Sequence, residues 1–434
     1  MPALPKHFLF SLLLLLLSCS NAEKPKQNMD QLAEEYVRLV LDIGQYDGDF
    51  IDAYYGPETL RPSDTKEDTF PAARFLQACG VLKKSWGDVD TAAFDDMQRR
   101  RHRAMTKQLR AVKTKVEMMA GESFDFDKEA ELLYDAKPPH YDTTYFNALL
   151  KDLEQELPGM APLSKRYEVF SKQFIIPVEK LDAVFQIAIA EARKRTLQHY
   201  DLPAEENFTI EYVKDKAWSG YNYYKGDSYS LIQINTDFPI YIDRAIDLAC
   251  HEGYPGHHVF NALLEKNLVK ERGWIEYSVY PLFSPQSLIA EGSANYGIDV
   301  AFPGKERVIF EREQLFPAAG MDPGLAEKYH RIQKLRGRLN YAGNEAARAY
   351  LNGDIDRDQA ASWLEKYLLY EPDRAMQRTR FIDQYRSYVI NYNLGLDLVA
   401  EHIERQGGTV DDPGKRWLLF EKLLSTPHTA SDLQ

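Results

Sequence analysis

The sequence predicts a mainly α-helical fold with a small β-sheet beside a helix that carries a cluster of histidines. Apolar residues recur at helical spacing over most of residues 29–202, and again from residue 240 to the end. Between these parts, residues 208–213 and 229–234 are rich in β-branched and aromatic side chains, which is typical of strands. We therefore expect a helical lobe over residues 29–204 and a second lobe, with the sheet and the histidines, over residues 205–434.

The composition limits the classes of partner. The chain has 434 residues, of which 44% are hydrophobic and 27% charged, an ordinary balance for a globular protein with a large core. The formal net charge is −13 at pH 7. Because binding to nucleic acid needs a basic surface, this charge predicts that the protein has no nucleic-acid partner.

The N-terminus is typical of an exported lipoprotein. Lys6 and His7 precede an apolar stretch that is too short to cross a bilayer, which predicts a signal peptide over residues 1–18. The following Leu-Leu-Ser-Cys resembles a bacterial lipobox, so Cys19 is the predicted lipidation site and residues 19–28 the lipidated tether. A plain signal peptide is the alternative. We expect an extracytoplasmic protein that is lipid-anchored to a bacterial membrane, with the outer membrane preferred.

One segment carries the residue types of a hydrolytic zinc site. Residues 251–258 read H-E-G-Y-P-G-H-H and contain three of the ten histidines. Neutral imidazoles bind Zn²⁺, and a carboxylate beside the metal can take a proton from water. In the familiar H-E-x-x-H pattern the two histidines lie four apart on one helical face. Here a regular helix would place His257 about 120° from the face of His251, and His258 about 10.5 Å along the axis.

The helix must therefore break or bulge between the histidines. Pro255 lacks the N–H that would bond to the carbonyl of His251, and Gly256 permits unusual backbone dihedrals. We expect a break that brings His257 back toward His251, with His258 as the alternative ligand. Histidines that only cap or fill a helix end would not call for a glutamate directly after the first of them.

A catalytic zinc also needs a third protein ligand and an open position. The best candidate is Glu291, a lone acid among apolar residues of a predicted helix that begins at Ser284. A carboxylate in such surroundings is costly unless it is paired or binds a metal, although an ordinary surface glutamate is the alternative. Asp247, one turn before His251, and Asn295, one turn after Glu291, are expected to hold the ligands by hydrogen bonds.

Candidates for substrate contacts are less specific. Asn235 ends a predicted strand that precedes the histidines, and an edge strand there would hold an extended peptide. Tyr388 and Tyr392 share a helical face, so either hydroxyl is a candidate donor to an oxyanion. Arg380 and Arg386 are candidates to clamp a terminal carboxylate. Simple packing or solvent exposure is the alternative for each of them.

These motifs carry a resemblance to a known family. The H-E-G-Y-P-G-H-H segment, the later I-A-E-G-S-A and the C-terminal residues 388–395 resemble a bacterial family catalogued as domain of unknown function 885, from about residue 51 to about residue 395. The resemblance implies a zincin-like helical metallopeptidase, often secreted or lipid-anchored. It also implies His251, His257 and Glu291 as metal ligands and Glu252 as the general base.

The sequence therefore predicts a zinc-dependent hydrolase with one Zn²⁺ per chain. We expect a peptidase of carboxypeptidase-like or dipeptidase-like activity, whose substrate is a peptide or another amide and in which Glu252 activates a water molecule. One alternative is a zinc hydrolase of non-peptide amides or esters. Another is a non-enzymatic, ligand-binding lipoprotein with a structural zinc. Structural sites are usually closed by four ligands, and Cys250 would point about 100° away from His251 on a helix.

Overall fold

The computed structural model describes residues 28–63 and 66–434. The predicted signal peptide, Cys19 and residues 19–27 of the predicted tether lie outside the described residues. The described chain is mainly helical with two small sheets, one of them beside the helix of His251, so the predicted fold class is confirmed. No helix in this part of the chain combines the length and the apolar character needed to cross a bilayer.

The helices and strands follow one another along the chain with short connections. The α-helices are α1 (Met29–Gly44), α2 (Ala72–Gly87), α3 (Asp96–Met119), α4 (Phe126–Tyr134), α5 (Thr143–Glu156), α6 (Leu163–Ser171), α7 (Leu181–Leu197), α8 (Asp243–Leu248), α9 (His257–Leu264), α10 (Pro285–Ala301), α11 (Lys305–Phe310), α12 (Phe316–Ala319), α13 (Ala326–Gly337), α14 (Tyr341–Leu351), α15 (Arg357–Leu368), α16 (Pro372–Tyr385), α17 (Ile390–Arg405), α18 (Pro413–Leu424) and α19 (Ala430–Leu433). The strands are β1 (Ile51–Tyr54), β2 (Asn207–Val213), β3 (Gly220–Gly226), β4 (Tyr229–Asn235) and β5 (Val279–Pro281).

Helix ends follow local capping chemistry. The charged helix predicted over residues 90–119 begins only at Asp96, because Asp95 accepts a hydrogen bond from the backbone N–H of Gln98 and the Gln98 side chain accepts one from the N–H of Asp95. The helix predicted over residues 178–200 is α7, which is preceded by one 3₁₀ turn, Val178–Lys180. Periodicity locates these helices, and the caps set where they start.

The three-stranded sheet has the order β2-β4-β3, with β2 parallel and β3 antiparallel to β4. The prediction of an edge strand at residues 229–235 was wrong, because β4 is the central strand and both its edges are hydrogen-bonded. The aromatic segment before it, which gave no clear strand signal, forms β3 and lies at the sheet edge. A second sheet pairs β1 with β5, and neither of these strands was predicted.

One continuous set of buried apolar side chains extends from α1 to α19 and joins both predicted lobes; the division at residue 204 stays a prediction. Helices α10 and α17 approach each other closely in this core. A Cβ on Gly292 would lie only 2.3 Å from the carbonyl carbon of Gly395, so the two backbones meet where neither residue has a side chain. This contact fixes Glu291, on α10, beside the segment that carries Tyr388 and Tyr392.

Candidate metal centre

The break between the histidines has a defined backbone path. After α8 the chain forms a π-helical turn, Ala249–Gly253, and then a cis peptide between Tyr254 and Pro255, and α9 begins at His257. The N–H of Gly256 donates to the carbonyl of Cys250 at 2.9 Å, and a Cβ at Gly256 would lie 2.0 Å from the carbonyl oxygen of His251. The path places His257 Nε2 3.1 Å from His251 Nε2.

Glu291 completes a group of three converging ligand atoms. Its Oε2 lies 3.2 Å from His251 Nε2 and 3.8 Å from His257 Nε2. Zinc bonds of about 2.0–2.2 Å in tetrahedral geometry require ligand atoms roughly 3.3 Å apart. The three separations therefore suit three ligands of one tetrahedral zinc ion, and no other His, Cys, Asp or Glu of the described residues belongs to the group.

The hydrogen-bond network directs lone pairs into this group. The side-chain nitrogen of Asn295 donates to the carbonyl of Tyr392 at 3.1 Å, so its oxygen faces His251 Nδ1, 3.0 Å away. His251 therefore carries its proton on Nδ1 and directs the Nε2 lone pair at Glu291. Glu291 Oε2 is buried without a hydrogen-bond donor. Lone pairs that face one another need a cation between them, so these residues fit a zinc ion.

Tyr388 holds the ligating carboxylate. Its hydroxyl donates to Glu291 Oε1 at 2.7 Å, so it fixes the ligand and is already engaged, which is a different task from the predicted donation to an oxyanion.

Glu252 lies beside this group, buried to 4% exposure, and lines the same cavity. The side chain of Asn222, on β3, donates to its backbone carbonyl at 2.7 Å and so ties the sheet edge to the motif. Burial raises the pKa of Glu252 to about 7, with His257 opposing the shift and Glu291 adding to it. A carboxyl group with a pKa near neutrality is suited to accept and return a proton.

Tyr392 faces the cavity from α17 and stays protonated. Burial, reinforced by the carboxylates of Glu291 and Glu252, raises its pKa well above the ordinary value for tyrosine. Its hydroxyl is therefore a neutral donor at the cavity wall. Of the two predicted tyrosines, only Tyr392 keeps a hydroxyl that is not engaged by a metal ligand.

Sequence reasoning missed Asp52 and Tyr221. Asp52 lies on β1 and accepts a hydrogen bond from the Tyr221 hydroxyl on β3, and both residues line the cavity. Burial raises the pKa of Asp52 to about 6, although the Tyr221 hydrogen bond opposes this shift. The family resemblance begins at about residue 51, next to Asp52, but it led to no predicted role for this residue. No local spacing indicates that β1 reaches the histidines.

The structure does not bring His258 to the cluster. Its ring is buried, with Nδ1 2.9 Å from the hydroxyl of Ser230 and Nε2 3.1 Å from a carboxylate oxygen of Glu206. The His258 side chain therefore points from α9 toward β4, whereas the side chain of the preceding residue, His257, points toward His251. Between the two alternatives, His257 is the histidine that faces His251.

The prediction that Asp247 orients His251 was wrong. The Asp247 carboxylate pairs with Arg307 at 2.9 Å and contacts Arg244 at 3.4 Å. A guanidinium attracts a carboxylate more strongly than a neutral imidazole does. Asn295 takes the role at His251, as predicted for a neighbour of Glu291.

The predicted substrate contacts are corrected as well. The Asn235 side chain lines the cavity, but its amide donates to the carbonyls of Lys216 and Trp218, so it holds the loop before β3. Arg386 pairs with Glu129 at 2.7 Å, and Arg380 is exposed and does not line the cavity. Arg386 lies beyond Tyr385, the last residue of α16, so helical spacing does not give the direction of its side chain.

The metal group opens into a cavity of about 1690 Å³. Pockets for small molecules are typically about 300–1,000 Å³, so this cavity has room for a larger, extended ligand. Its walls come from the β3 edge, from the motif of residues 251–258, and from α10, α13, α16 and α17.

Comparison with known proteins supports the fold. No family model matches the chain, and no curated protein matches it in sequence. A solved structure of a candidate lipoprotein from Colwellia psychrerythraea is similar, with a TM-score of 0.51 and 13% identity, over 83% of this chain and 65% of that one. The chain thus spans less than two thirds of that structure. Metallocarboxypeptidase 1 of Trypanosoma cruzi has a TM-score of 0.43 and 14% identity, over 93% of this chain and 92% of that one.

Proposed function

We propose that this protein is a zinc-dependent hydrolase that cleaves peptides. The observation that carries the proposal is the convergence of His251 Nε2, His257 Nε2 and Glu291 Oε2 at separations of 3.1–3.8 Å, beside the buried carboxylate of Glu252. Three protein ligands and an open position are the arrangement of catalytic zinc sites. The resemblance to the domain of unknown function 885 family agrees with this assignment and stays a prediction.

The reaction divides between the metal and the side chains around it. A zinc ion, when bound, supplies a Lewis acid that polarises a carbonyl and makes water more acidic. The carboxylate of Glu252 accepts the proton of the attacking water and returns it to the leaving amine. The hydroxyl of Tyr392 donates to the oxygen on which negative charge develops. Asn295 and Tyr388 hold His251 and Glu291 in place.

Two observations separate this proposal from its alternatives. A structural zinc would need a fourth ligand, and in the described part of the chain the metal-binding group contains His251, His257 and Glu291 without Cys250, which is buried elsewhere. The size of the cavity favours an extended peptide over a small ester or amide. Parallel assays of the zinc-loaded protein on peptide and ester libraries test this choice; turnover of esters alone would contradict it.

We also propose that the mature protein is lipidated on Cys19 and works outside the cytoplasm, anchored to a bacterial membrane. The lipobox-like sequence supports this part of the proposal. Mass spectrometry of the protein from membranes of a bacterial host should find a diacylglyceryl modification at Cys19. Recovery of an unmodified chain with residues 1–18 still attached would contradict it.

Replacement of Asn295 by Ala is expected to weaken zinc binding about 10–100-fold, because His251 would lose the acceptor that fixes its tautomer. The measurement is the zinc dissociation constant from competition with a chelator. Asn295→Asp is the matched control, since it keeps an oxygen that accepts from His251 Nδ1, and it should bind zinc more tightly than the alanine variant. Equal affinities of all three proteins would contradict this role for Asn295.

A methyl group at Gly220 is expected to disturb the general base. A Cβ there would lie 2.8 Å from Glu252 Oε1 and 2.7 Å from Leu248 Cδ2. We therefore expect Gly220→Ala to lower kcat and to reduce the free energy of unfolding by about 1–3 kcal/mol, while zinc content is unchanged. Gly80→Ala, in α2 where a Cβ meets no atom within 4 Å, is the control and should leave kcat unaltered. Wild-type kcat in Gly220→Ala would contradict the position of Glu252.

A further inference from the structure

One wall of the cavity concentrates positive charge in an otherwise acidic protein, whose net charge is −13. The wall is formed by α8, α13 and α16, and each helix contributes arginine side chains to the cavity lining. We call four of these residues the arginine cluster: Arg244, Arg336, Arg374 and Arg378.

The arginine cluster is only partly paired with carboxylates, although Asp243, Glu371 and Asp373 also line the cavity. Among residues 28–63 and 66–434, Arg336, Arg374 and Arg378 form no ion pair with a carboxylate, and Arg336 Nε is buried without a hydrogen-bond acceptor. Arg244 contacts Asp247 at 3.4 Å, but Arg307 already holds that carboxylate at 2.9 Å. Arg336 and Arg378 are half-buried and Arg374 is exposed at the cavity wall, so three guanidinium groups without an ion pair are available to bind an anion from outside the chain.

The surroundings of Tyr370 indicate the electrostatic potential near the arginine cluster. The guanidinium carbons of Arg374 and Arg336 lie 4.7 Å and 5.8 Å from the centre of its ring. Burial acts to raise the pKa of Tyr370, but the charges of the arginine cluster outweigh burial and lower that pKa. An anion that enters beside Tyr370 would therefore meet a strongly positive field.

The arginine cluster and the metal centre share the cavity. Arg244 precedes His251 by seven residues on one nearly continuous helical path, which corresponds to about 10.5 Å. An extended peptide advances about 3.4 Å per residue, so this distance corresponds to about three residues of substrate. Arg244 and Arg378 are also close enough for their charges to act on Glu252 and Tyr392, respectively.

We propose that the arginine cluster binds a carboxylate of the substrate and makes the enzyme selective for peptides that present a carboxylate at that position. This inference rests on the proposed hydrolase function and names its substrate class. The bound carboxylate is either an Asp or Glu side chain or the C-terminus, at about three residues from the cleaved bond. Guanidinium groups suit this task because they bind carboxylates through paired, charge-assisted hydrogen bonds.

The test uses the zinc-loaded protein and matched peptides. One position at a time carries Glu or Gln in an otherwise neutral sequence, and each peptide is made with a free and with an amidated C-terminus. We expect kcat/KM to be about tenfold or more higher for one Glu peptide than for its Gln partner, or for the free over the amidated C-terminus. The first result identifies a side chain as the bound carboxylate, and the second identifies the C-terminus.

Variants on one helix assign the preference to the arginine cluster. Arg374→Gln and Arg378→Gln should each reduce the preference about tenfold, and Arg378→Lys should restore part of it. Arg380→Gln, also on α16 but outside the cavity lining, is the matched control and should keep the wild-type preference. Equal cleavage of the charged and neutral peptides, or a full preference in Arg378→Gln, would overturn the inference.

A binding measurement separates failure of this inference from failure of the proposed function. Fluorescence anisotropy of a labelled Glu peptide and its Gln partner is measured on Glu252→Gln protein with and without Arg378→Gln. If no peptide is hydrolysed by the wild type but Arg378 is needed for selective binding of the Glu peptide, the carboxylate-binding role of the arginine cluster is supported and the hydrolase assignment is contradicted. If peptides are hydrolysed without any charge preference, the hydrolase assignment is supported and the carboxylate-binding role is contradicted.

Discussion

Glu252→Gln is expected to lower kcat for peptide hydrolysis by a factor of about 10²–10⁴ without loss of zinc. The amide is nearly the same size as the carboxylate but cannot accept a proton. The metal group comprises His251, His257 and Glu291, so the substitution leaves every ligand in place. The measurements are kcat with a peptide that the wild type cleaves, and zinc per chain by elemental analysis.

The control for this prediction is another glutamate-to-glutamine change. Glu211 is exposed on β2 and contacts Gln233, and it does not line the cavity. Glu211→Gln should therefore retain wild-type kcat. If Glu252→Gln hydrolyses peptides at the wild-type rate with zinc bound, Glu252 is not the general base and the proposed mechanism fails.

His257→Ala is expected to reduce zinc from one ion per chain to nearly none at micromolar protein. The substitution removes one of three converging ligand atoms. Loss of a group that only supports a ligand costs about 10–100-fold in affinity, so loss of the ligand itself should cost more. Elemental analysis after dialysis against a weak chelator measures the change, with far-UV circular dichroism to establish that the variant is folded.

The adjacent histidine provides the matched control. His258 is fully buried and bonds to Ser230 and Glu206, so His258→Ala should lower the free energy of unfolding by about 1–3 kcal/mol while one zinc per chain remains. Loss of zinc in folded His258→Ala, with retention in His257→Ala, would move the metal site to the other histidine. Absence of zinc from the wild type would favour a protein that binds a ligand without hydrolysing it.

Local sequence patterns were sufficient to predict the main residues of the candidate metal centre. The adjacency of His251 and Glu252, the Pro-Gly pair that follows, and the isolated acid at Glu291 are all short-range patterns, and each residue type is dictated by metal-ligand chemistry. The helices were predictable for the same reason, since helical periodicity is set by residues three and four apart. The first residues of the helices were less predictable, since α3 begins at Asp96, after the Asp95 cap, and not at residue 90.

Errors arose where a long-range contact decides the role of a side chain. Asp247 is one turn from His251 along the chain, yet its carboxylate pairs with Arg307, which is sixty residues away in sequence. Asn235 was placed on an edge strand because β3 gave no clear strand signal, and the pairing of β3 with β4 removed that edge. Arg386 similarly turns to Glu129 on α4.

The sequence by itself determined the helical class, the residue types of the candidate metal centre and the requirement for a break after His251, because each depends on residues within a few positions of one another. Only the tertiary structure decided that His257 rather than His258 faces His251, that Asn295 contacts His251 Nδ1, and that Asp52 and four arginines share the cavity. These outcomes depend on how α10, α13, α16 and β1 pack around the motif. That packing is set by many weak contacts between distant residues, which no local pattern records.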